Sequence, residues 1–416
     1  MLKTALTLRC DTGRTAGLLP ARATPEDILP HPSPLPPRDL SWHVAQATRL
    51  DPHALAQRAR KKLLKGDIRA AICYLEAQQT LAPDADLALH LAALHRQCRA
   101  FARALAHLKP ALARWPARAD LLRPGAEIAT LAGDHAFAAK LWDRLAGAGL
   151  SPLEPVLRAI GCLRQIGDEA RVSALLERHQ TLLRQKLTPV GLKMVAQGAA
   201  ACANLPQGLY LVTGNNGTGK TRLGHFLQTL GFRTVEADIE IGCYSHNGRY
   251  ADLAHDLMRH APPDAVPPRW IWPRDRVAVM RARMLASGGA VFIVGGHGQI
   301  VADHVGGVER VIHLHAPTSV IAQRLARRAS PSHRVGSQAY DAALRRNRRL
   351  DAPDYPVIRL RADRPVWKTC AEMLHRVQSV SGTAVASRYA GADRSPVTGE
   401  RIAASDTALD RPGLPG

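Results

Sequence analysis

The chain is 416 residues long, and because a domain usually contains roughly 100–200 residues, we expect two domains. Hydrophobic residues make up 46% and charged residues 22% of the chain, a composition that excludes a wholly disordered protein. The 56 Lys and Arg against 35 Asp and Glu give a formal charge of +21, which favours anionic partners but fits an arginine-rich solvated surface equally well.

The cysteines indicate a reducing environment. There are 7 of them, far apart and without a CxxC pair, so they form neither a zinc pattern nor a disulfide framework. No apolar run approaches the ~18 residues that a membrane-spanning helix needs, and the apolar stretch Thr4–Leu8 is too short for a secretory signal. We therefore expect a cytoplasmic protein that makes no membrane contact.

Composition divides the chain into four segments. Residues 1–40 are rich in Pro, Thr and Arg and are expected to form a flexible leader, whereas residues 379–416 are small and polar and are expected to form a disordered tail. Between them we expect a helical block at 41–190 and an α/β block at 205–378. The two blocks are joined near 187–206, and we expect them to fold separately.

The helical block contains an internal repeat. Turn signals begin at Gly66, Arg99, Gly133 and Gly167, which are spaced 33, 34 and 34 residues apart. Five positions after each of them stands a small or branched apolar residue: Ala71, Ala104, Ala138 and Val172. A period near 34, with a small residue where two helices cross closely, resembles the tetratricopeptide repeat. The resemblance implies a solenoid of stacked helix pairs whose concave face binds a protein partner, and an antiparallel helical bundle is the alternative.

Short apolar runs alternate with amphipathic stretches in the second block. The runs are Gly208–Thr213, Arg233–Ala237, Ala290–Val294, Val308–Leu314 and Pro356–Leu360. Strands that alternate with helices favour a mainly parallel sheet with helices on both faces. The sequence therefore predicts an α + α/β protein, in which a helical-repeat solenoid precedes a three-layer α/β domain.

A glycine-rich motif follows the first of these strands. Residues 214–221 fit the phosphate-loop pattern GxxxxGK(S/T) at every fixed position, between a strand and a helix as the pattern requires. Glycines let consecutive backbone N–H groups converge on phosphate oxygens, and the following helix adds its positive end. The motif predicts that the whole loop binds ATP: Gly214, Asn215, Asn216, Gly217, Thr218, Gly219, Lys220 and Thr221. Lys220 should also act on the transferred phosphoryl group, and the Thr221 hydroxyl should hold Mg²⁺.

Two acidic residues follow on the second strand. Glu236 and Asp238 alternate along residues 234–240, so we expect both carboxylates to point into the crevice where open α/β sheets bind ligands. Asp238 is expected either to orient and deprotonate an acceptor hydroxyl or to cap the next helix. Glu236 is expected either to bind Mg²⁺ or to face solvent.

The phosphate loop, the acidic pair and the glycine-rich turn at 295–298 together resemble the small P-loop kinases, such as shikimate, gluconate and nucleoside-monophosphate kinases. The resemblance covers residues 205–376 and implies transfer of a phosphoryl group from ATP, with Mg²⁺, to a small-molecule acceptor. It implies that the acceptor is bound by Asp238, Arg276, Gly295, Gly296, His297 and Arg349. It also implies a closing lid whose arginines stabilise the transferred phosphoryl group: Arg324, Arg327 and Arg328.

Two departures from the family pattern keep an alternative open. His297 interrupts the glycine turn, and Glu236 stands where the family has an aspartate. The alternative is a nucleotide-binding scaffold, in which the repeats bind a protein partner and a degenerate kinase domain has lost catalysis. Nucleic-acid binding is disfavoured, because aromatic residues make up only 4% of the chain and the basic stretches lack the interleaved aromatics that stack on bases.

Overall fold

The computed structural model of the protein describes the helical block and most of the α/β block. The described residues are 33–34, 39–148, 152–198, 205–259, 261–262, 265–286, 288–295, 308–327, 337, 340–341, 344 and 357–381. Four predicted site residues lie outside them: Gly296, His297, Arg328 and Arg349. The expected tail from residue 382 onward and most of the expected leader also lie outside them. Within the described part of the chain, no helix has both the length and the apolar character that crossing a bilayer would need.

Consecutive helices fill the helical block, after the short strand β1 (Ser33–Pro34). They are α1 (Ser41–Ala47), α2 (Pro52–Leu64), α3 (Ile68–Leu81), α4 (Ala85–Gln97), α5 (Phe101–Arg114), α6 (Ala119–Leu131), α7 (His135–Gly147), α8 (Leu153–Gln165), α9 (Glu169–Arg178), α10 (Gln180–Lys186) and α11 (Pro189–Gln197). From α2 to α9, each helix packs against the next one along the chain. Aspartates cap the N-terminal ends of several helices, because a carboxylate accepts hydrogen bonds from backbone N–H groups that the helix itself leaves unpaired. At α2, Asp51 accepts from the N–H groups of His53 and Ala54.

The turns recur at the predicted spacing. Gly66, Gly133 and Gly167 adopt φ values of 71°, 79° and 70°, and Arg99 adopts 56° at the equivalent position. Each glycine precedes an aspartate whose carboxylate accepts a hydrogen bond from the first turn of the next helix: Asp67, Asp134 and Asp168. The small residues predicted at the helix crossings are fully buried: Ala71, Ala104, Ala138 and Val172. The predicted turns and the burial of the small residues are therefore confirmed.

Strands and helices alternate in the second block. Its elements are β2 (Gly208–Gly214), α12 (Lys220–Thr229), β3 (Arg233–Glu236), α13 (Ala237–Glu240), β4 (Cys243–His246), β5 (Arg249–Ala251), α14 (Ala254–Met258), β6 (Arg269–Ile271), α15 (Arg274–Ala286), β7 (Ala290–Val294), β8 (Val308–His315), α16 (Thr318–Ala326), β9 (Val357–Arg361) and α17 (Val366–Ser381). The main sheet is parallel, with the strand order β3-β7-β2-β8-β9 and β2 at its centre. The predicted strands are all present, within one residue of their expected bounds.

Side chains of the central strand alternate between the two faces of the main sheet. On one face, Tyr210 and Val212 join a core with α12 and α17. On the other face, Leu209 and Leu211 pack with Val277 of α15. The sheet is therefore covered by helices on both faces, which agrees with the predicted α/β architecture.

A second, smaller sheet is formed by β1 and three strands of residues 243–271, a segment to which the sequence assigns no role. β4 pairs antiparallel with β5 and β6, and β1 pairs parallel with β5. Next to it, Leu253 joins a core cluster of the helical block. Asp256 of α14 lies 2.7 Å from Nε of Arg69 on α3. The small sheet is therefore held against the repeats.

The helical and α/β blocks share one hydrophobic core. α8 packs along α12, and the shared cluster runs from Trp142 of α7 through Phe226 of α12 to Met373 of α17. Arg164 of α8 also donates a hydrogen bond to the carbonyl of Thr229 at the end of α12, at 2.7 Å. A domain that folds alone has a core of its own. Separate folding of the two blocks therefore stays a prediction, and the shared core weighs against it.

Gly161 lets α8 approach α12 closely. A Cβ at this position would lie 3.1 Å from backbone atoms of Gln228 and Thr229, which cannot move aside as the end of a side chain could. We expect Gly161→Leu to destabilise the protein by about 1–3 kcal/mol, the usual cost of overpacking a core. Gly147→Leu is the matched control, because Gly147 also lies in a helix and a Cβ there meets nothing within 4 Å. Chemical denaturation measures the free energy of unfolding of both variants. Equal values would show that the close approach of α8 to α12 does not contribute to stability.

Candidate active site

The candidate site lies where the chain changes direction across the main sheet. From β2 the chain runs to β3 on one side, and from β7 it runs to β8 on the other side, so β2 and β7 flank a topological switch point. Open α/β sheets bind ligands at the carboxyl ends of their strands at such a point. The register aligns Val212, Val294 and Glu236 on three adjacent strands. The residues that follow these three therefore meet at one edge of the sheet.

Three glycines shape the loop after β2. Gly214, Gly217 and Gly219 adopt φ values of 142°, 85° and 99°, a region that favours glycine over any residue with a side chain. A Cβ on Gly214 would lie only 2.4 Å from the carbonyl oxygen of Leu314 on β8. Asn216, between the first two glycines, is half-buried. The loop backbone is therefore compact, and its start admits no side chain.

Side chains of the loop turn inward onto its carbonyl groups. Thr218 Oγ1 donates to the carbonyl of Asn215 at 2.7 Å. Lys220 Nζ donates to the same carbonyl at 3.1 Å and to that of Gly214 at 2.7 Å. α12 begins at Lys220, so the positive end of its dipole lies at the loop, and Thr221 in its first turn is exposed. An ammonium group, a helix start and an accessible hydroxyl are thus brought together.

The acidic pair takes a different geometry from the one that the sequence predicts. β3 ends at Glu236, and Ala237–Glu240 is helical, so the two carboxylates do not alternate along one strand. Glu236 Oε1 lies 2.5 Å from Nε2 of His225 on α12. Asp238 is exposed and lies against Gly295, where a Cβ would be 3.3 Å from its Oδ2. The structure thus brings Asp238 and Gly295 together and gives Glu236 a histidine partner.

Two residues that the sequence pattern did not indicate as site residues hold Asp238. Trp272 donates its indole N–H to Asp238 Oδ1 at 3.3 Å. Arg99, at the turn between α4 and α5, donates to the backbone carbonyls of Asp238, at 3.1 Å, and of Ile239. Its Nε also lies 3.2 Å from Oδ1 of Asp252, and burial lowers the pKa of Arg99 although Asp252 opposes that shift. The side chain of Arg99 therefore links the repeats to the candidate site.

The repeat pattern contained an indication that Arg99 makes a special contact. This arginine occupies the position at which the other turns have glycine, and it adopts the same positive φ. A residue with a side chain is uncommon in that conformation, so its presence there indicates a compensating contact. Trp272 and His225 have no comparable signal, because their contacts arise only from the tertiary fold.

We expect Arg99→Gly to loosen α13 without disturbing the repeats. Glycine suits the turn at least as well as arginine, but it removes the hydrogen bonds to two carbonyls of α13. A hydrogen bond from a charged donor contributes about 1.5–3 kcal/mol, so amide hydrogen exchange in residues 237–241 should rise about tenfold or more. Arg178→Ala is the control, since Arg178 pairs with Asp143 inside the repeats. Unchanged exchange in α13 would show that Arg99 does not hold it.

The described arginines of the predicted lid lie at the end of α16. Arg324 donates to the loop carbonyls of Gly217 and Thr218, at 3.2 and 3.1 Å, and to that of Ala362 at 2.6 Å. Burial lowers the pKa of Arg324, whereas Arg327 is exposed. This arrangement differs from the expected mobile lid, because backbone carbonyls hold the Arg324 guanidinium against the loop. A contact from either arginine to phosphate stays a prediction.

Arg276 lies in the first turn of α15 and takes part in a network of charges. Its Nη1 lies 2.8 Å from Oδ1 of Asp252, the carboxylate that Arg99 also contacts, and its guanidinium lies over the ring of Tyr250. Burial acts to lower the pKa of Arg276, but the hydrogen bond to Asp252, its negative charge and other nearby groups together outweigh burial, so the pKa is raised. Together with Arg283, Arg276 lines a surface cavity of about 320 Å³ between α13 and α15. A cavity of that size can hold a small molecule.

No protein-family model and no curated protein matches the chain. Among solved structures, the chain is similar to a sugar kinase from a Janibacter species, in an unliganded structure. The similarity has 24% sequence identity, covers 41% of this chain and 94% of that chain, and has a TM-score of 0.30.

Proposed function

We propose that the α/β block transfers a phosphoryl group from ATP to a small-molecule acceptor. One observation supports the proposal most: a glycine-shaped loop, with Lys220 folded onto it, joins the central strand to a helix at the switch point of the sheet. Loops of this form hold phosphates through their backbone N–H groups. Asp238, which follows β3 at the same edge, offers a carboxylate to an acceptor hydroxyl.

The residues of the loop fit a triphosphate and its magnesium ion. In the proposed complex, Lys220 contacts the outer phosphates, and the first backbone N–H groups of α12 donate to phosphate oxygens. The exposed Thr221 hydroxyl is a suitable oxygen ligand for Mg²⁺. When bound, Mg²⁺ neutralises charge on the phosphate chain.

In the proposed reaction, the oxygen of an acceptor hydroxyl attacks the γ-phosphorus of ATP. The bond between that phosphorus and the β–γ bridging oxygen breaks, ADP leaves, and the hydroxyl proton passes to a carboxylate oxygen of Asp238. Trp272 and Arg99 hold Asp238 for this transfer. We propose that the cavity between α13 and α15 accommodates the rest of the acceptor.

Binding and turnover assays on the full chain test the proposed function. Calorimetric titration with ATP and Mg²⁺ measures nucleotide binding, and ADP production measures transfer to a panel of sugars, shikimate-like acids and nucleosides. We expect ATP to bind and at least one acceptor class to raise ADP production. A chain that does not bind ATP would overturn the proposal, and binding without turnover would favour the second candidate.

The second candidate function is a nucleotide-binding scaffold without transfer activity. The contact between Glu236 and His225 favours it, because a carboxylate engaged by a histidine is less available to a metal ion. Glu236→Gln addresses this contact directly. If Glu236 serves Mg²⁺, the variant should bind ATP with Mg²⁺ more weakly, whereas a residue that only pairs with His225 should leave that affinity unchanged.

We also propose that the repeats bind a protein partner through the surface that they do not use within the chain. α8 and the turns at Gly66 and Arg99 already contact the α/β block. A partner on the remaining surface would influence the candidate site through the Arg99 turn. A pull-down with the full chain captures a partner. The ADP-production assay, run on the full chain and on Arg99→Gly with and without that partner, then tests the influence.

A further inference from the structure

A second cluster of polar side chains lies inside the helical block. Glu76 of α3, His95 of α4 and His107 of α5 converge there, and we call them the His-Glu cluster. Glu76 Oε1 lies 3.0 Å from His95 Nε2 and 3.3 Å from His107 Nε2. The three ligand atoms all lie within 4.8 Å of one another. Among the described residues, no other set of three His, Cys, Asp or Glu side chains comes this close together.

We propose that the His-Glu cluster binds Zn²⁺. Two imidazole nitrogens and one carboxylate oxygen are the donor set of zinc sites that keep a fourth position open. Zinc–ligand bonds of about 2.0–2.1 Å place tetrahedral ligand atoms about 3.3 Å apart. The separations of 3.0 and 3.3 Å between the carboxylate oxygen and the two ring nitrogens approach this value. The ligand atoms lie within 4.8 Å of one another, so the side chains would have to close by up to about 1.5 Å around the ion.

The exposure of the three side chains fits an ion that enters from solvent. The side chain of His95 is only 2% exposed, so its ring is held in place by the surrounding helices. The side chains of Glu76 and His107 are 37% and 21% exposed, so they form the outer side of the cluster. The two imidazole rings are stacked, with centroids 5.1 Å apart. A Zn²⁺ ion entering from solvent would be bound by the fixed ring of His95 and by the more adjustable side chains of Glu76 and His107. Water would complete its coordination.

The frame of the proposed site is rigid, because consecutive packed helices supply its ligands. α3 packs against α4, and α4 packs against α5. The turn between α4 and α5 contains Arg99, whose side chain donates to the backbone of Asp238. A bound Zn²⁺ would therefore clamp the helix pair that reaches the candidate active site. This link to activity rests on the proposed function, whereas Zn²⁺ binding does not.

Titration of the chelator-treated full chain with ZnCl₂, after removal of any purification tag, tests the site. We expect one Zn²⁺ per chain, and we expect His107→Ala and Glu76→Gln to weaken its binding about tenfold or more. His90→Ala is the matched control, because His90 is a half-buried histidine of α4 outside the cluster. The control should bind Zn²⁺ as the unmodified chain does, and circular dichroism checks that each variant keeps its helices.

Titration with CoCl₂ gives a result that does not depend on the variants. A tetrahedral Co²⁺ ion with nitrogen and oxygen ligands absorbs visible light strongly, and we expect this absorption in the unmodified chain, with loss on addition of ZnCl₂. The proposal would be overturned by the lack of this absorption, by the lack of Zn²⁺ uptake, or by equal Zn²⁺ affinity in His107→Ala and the unmodified chain. Each of these results would identify the cluster as a hydrogen-bonded group without a metal.

Discussion

Lys220→Ala is expected to weaken ATP binding by about 10- to 100-fold while the protein stays folded. The ammonium group donates to the carbonyls of Gly214 and Asn215, so it already lies at the loop that is proposed to hold phosphate. A hydrogen bond from a charged donor contributes about 1.5–3 kcal/mol, and each ~1.4 kcal/mol is a tenfold change in affinity. Lys220 belongs to none of the core clusters, so its truncation should cost little stability.

Calorimetric titration with ATP and Mg²⁺ measures this affinity, and thermal unfolding measures the stability. Lys193→Ala is the control, because Lys193 is an exposed lysine of α11, outside the α/β block. It should leave both quantities unchanged. If Lys220→Ala binds ATP as tightly as the unmodified chain, the loop does not bind phosphate in the proposed way.

Asp238→Asn should lower phosphoryl transfer by ~10²-fold or more and leave the affinity for ATP nearly unchanged. Asparagine keeps an Oδ1 that can accept the hydrogen bond from Trp272, so the orientation of the side chain should be preserved. An amide cannot take the proton from an acceptor hydroxyl, however. The contacts proposed for ATP come from the loop, Lys220 and Thr221, and the substitution alters none of them.

ATP affinity and the turnover of an acceptor that the protein phosphorylates are the two measurements for this variant. Asp86→Asn is the control, because Asp86 is an exposed carboxylate of the repeats that pairs with Arg118. It should keep full turnover. Full turnover in Asp238→Asn as well would mean that Asp238 only supports the first turn of α13.

The repeat turns and the loop after β2 were predictable from local sequence, because both depend on neighbouring residues. At Gly133, a positive φ suits glycine, and the following Asp134 caps the next helix, so adjacent residues encode the turn and the helix start. The segment 208–229 is similar: an apolar strand, three glycines and a helix follow one another along the chain. The strands of the main sheet were predictable for the same reason, since continuous apolar runs indicate buried strands.

The geometry of Glu236 and Asp238 depends on the pairing of β3 with β7, and not on the alternation of the two residues along the sequence. β3 is an edge strand that pairs with β7, and its last paired residue, Glu236, lies opposite Val294 at the end of β7. Among the described residues, no partner strand continues the ladder beyond that point, and residues 237–240 turn into a helix. The alternation of Glu236 and Asp238 in the sequence therefore did not place both carboxylates on one face.

The residues that surround Asp238 and the core that joins the two blocks depend on contacts between distant parts of the chain. Arg99 and Asp238 are 139 positions apart, and Glu76 and His107 are 31 apart, so no local pattern links either pair. The shared core of the two blocks was unpredictable for the same reason. The apolar face of α8 shows in the sequence that the helix must be covered, but the identity of the covering element depends on how the whole chain packs. In this protein that element is α12, the helix that begins at Lys220.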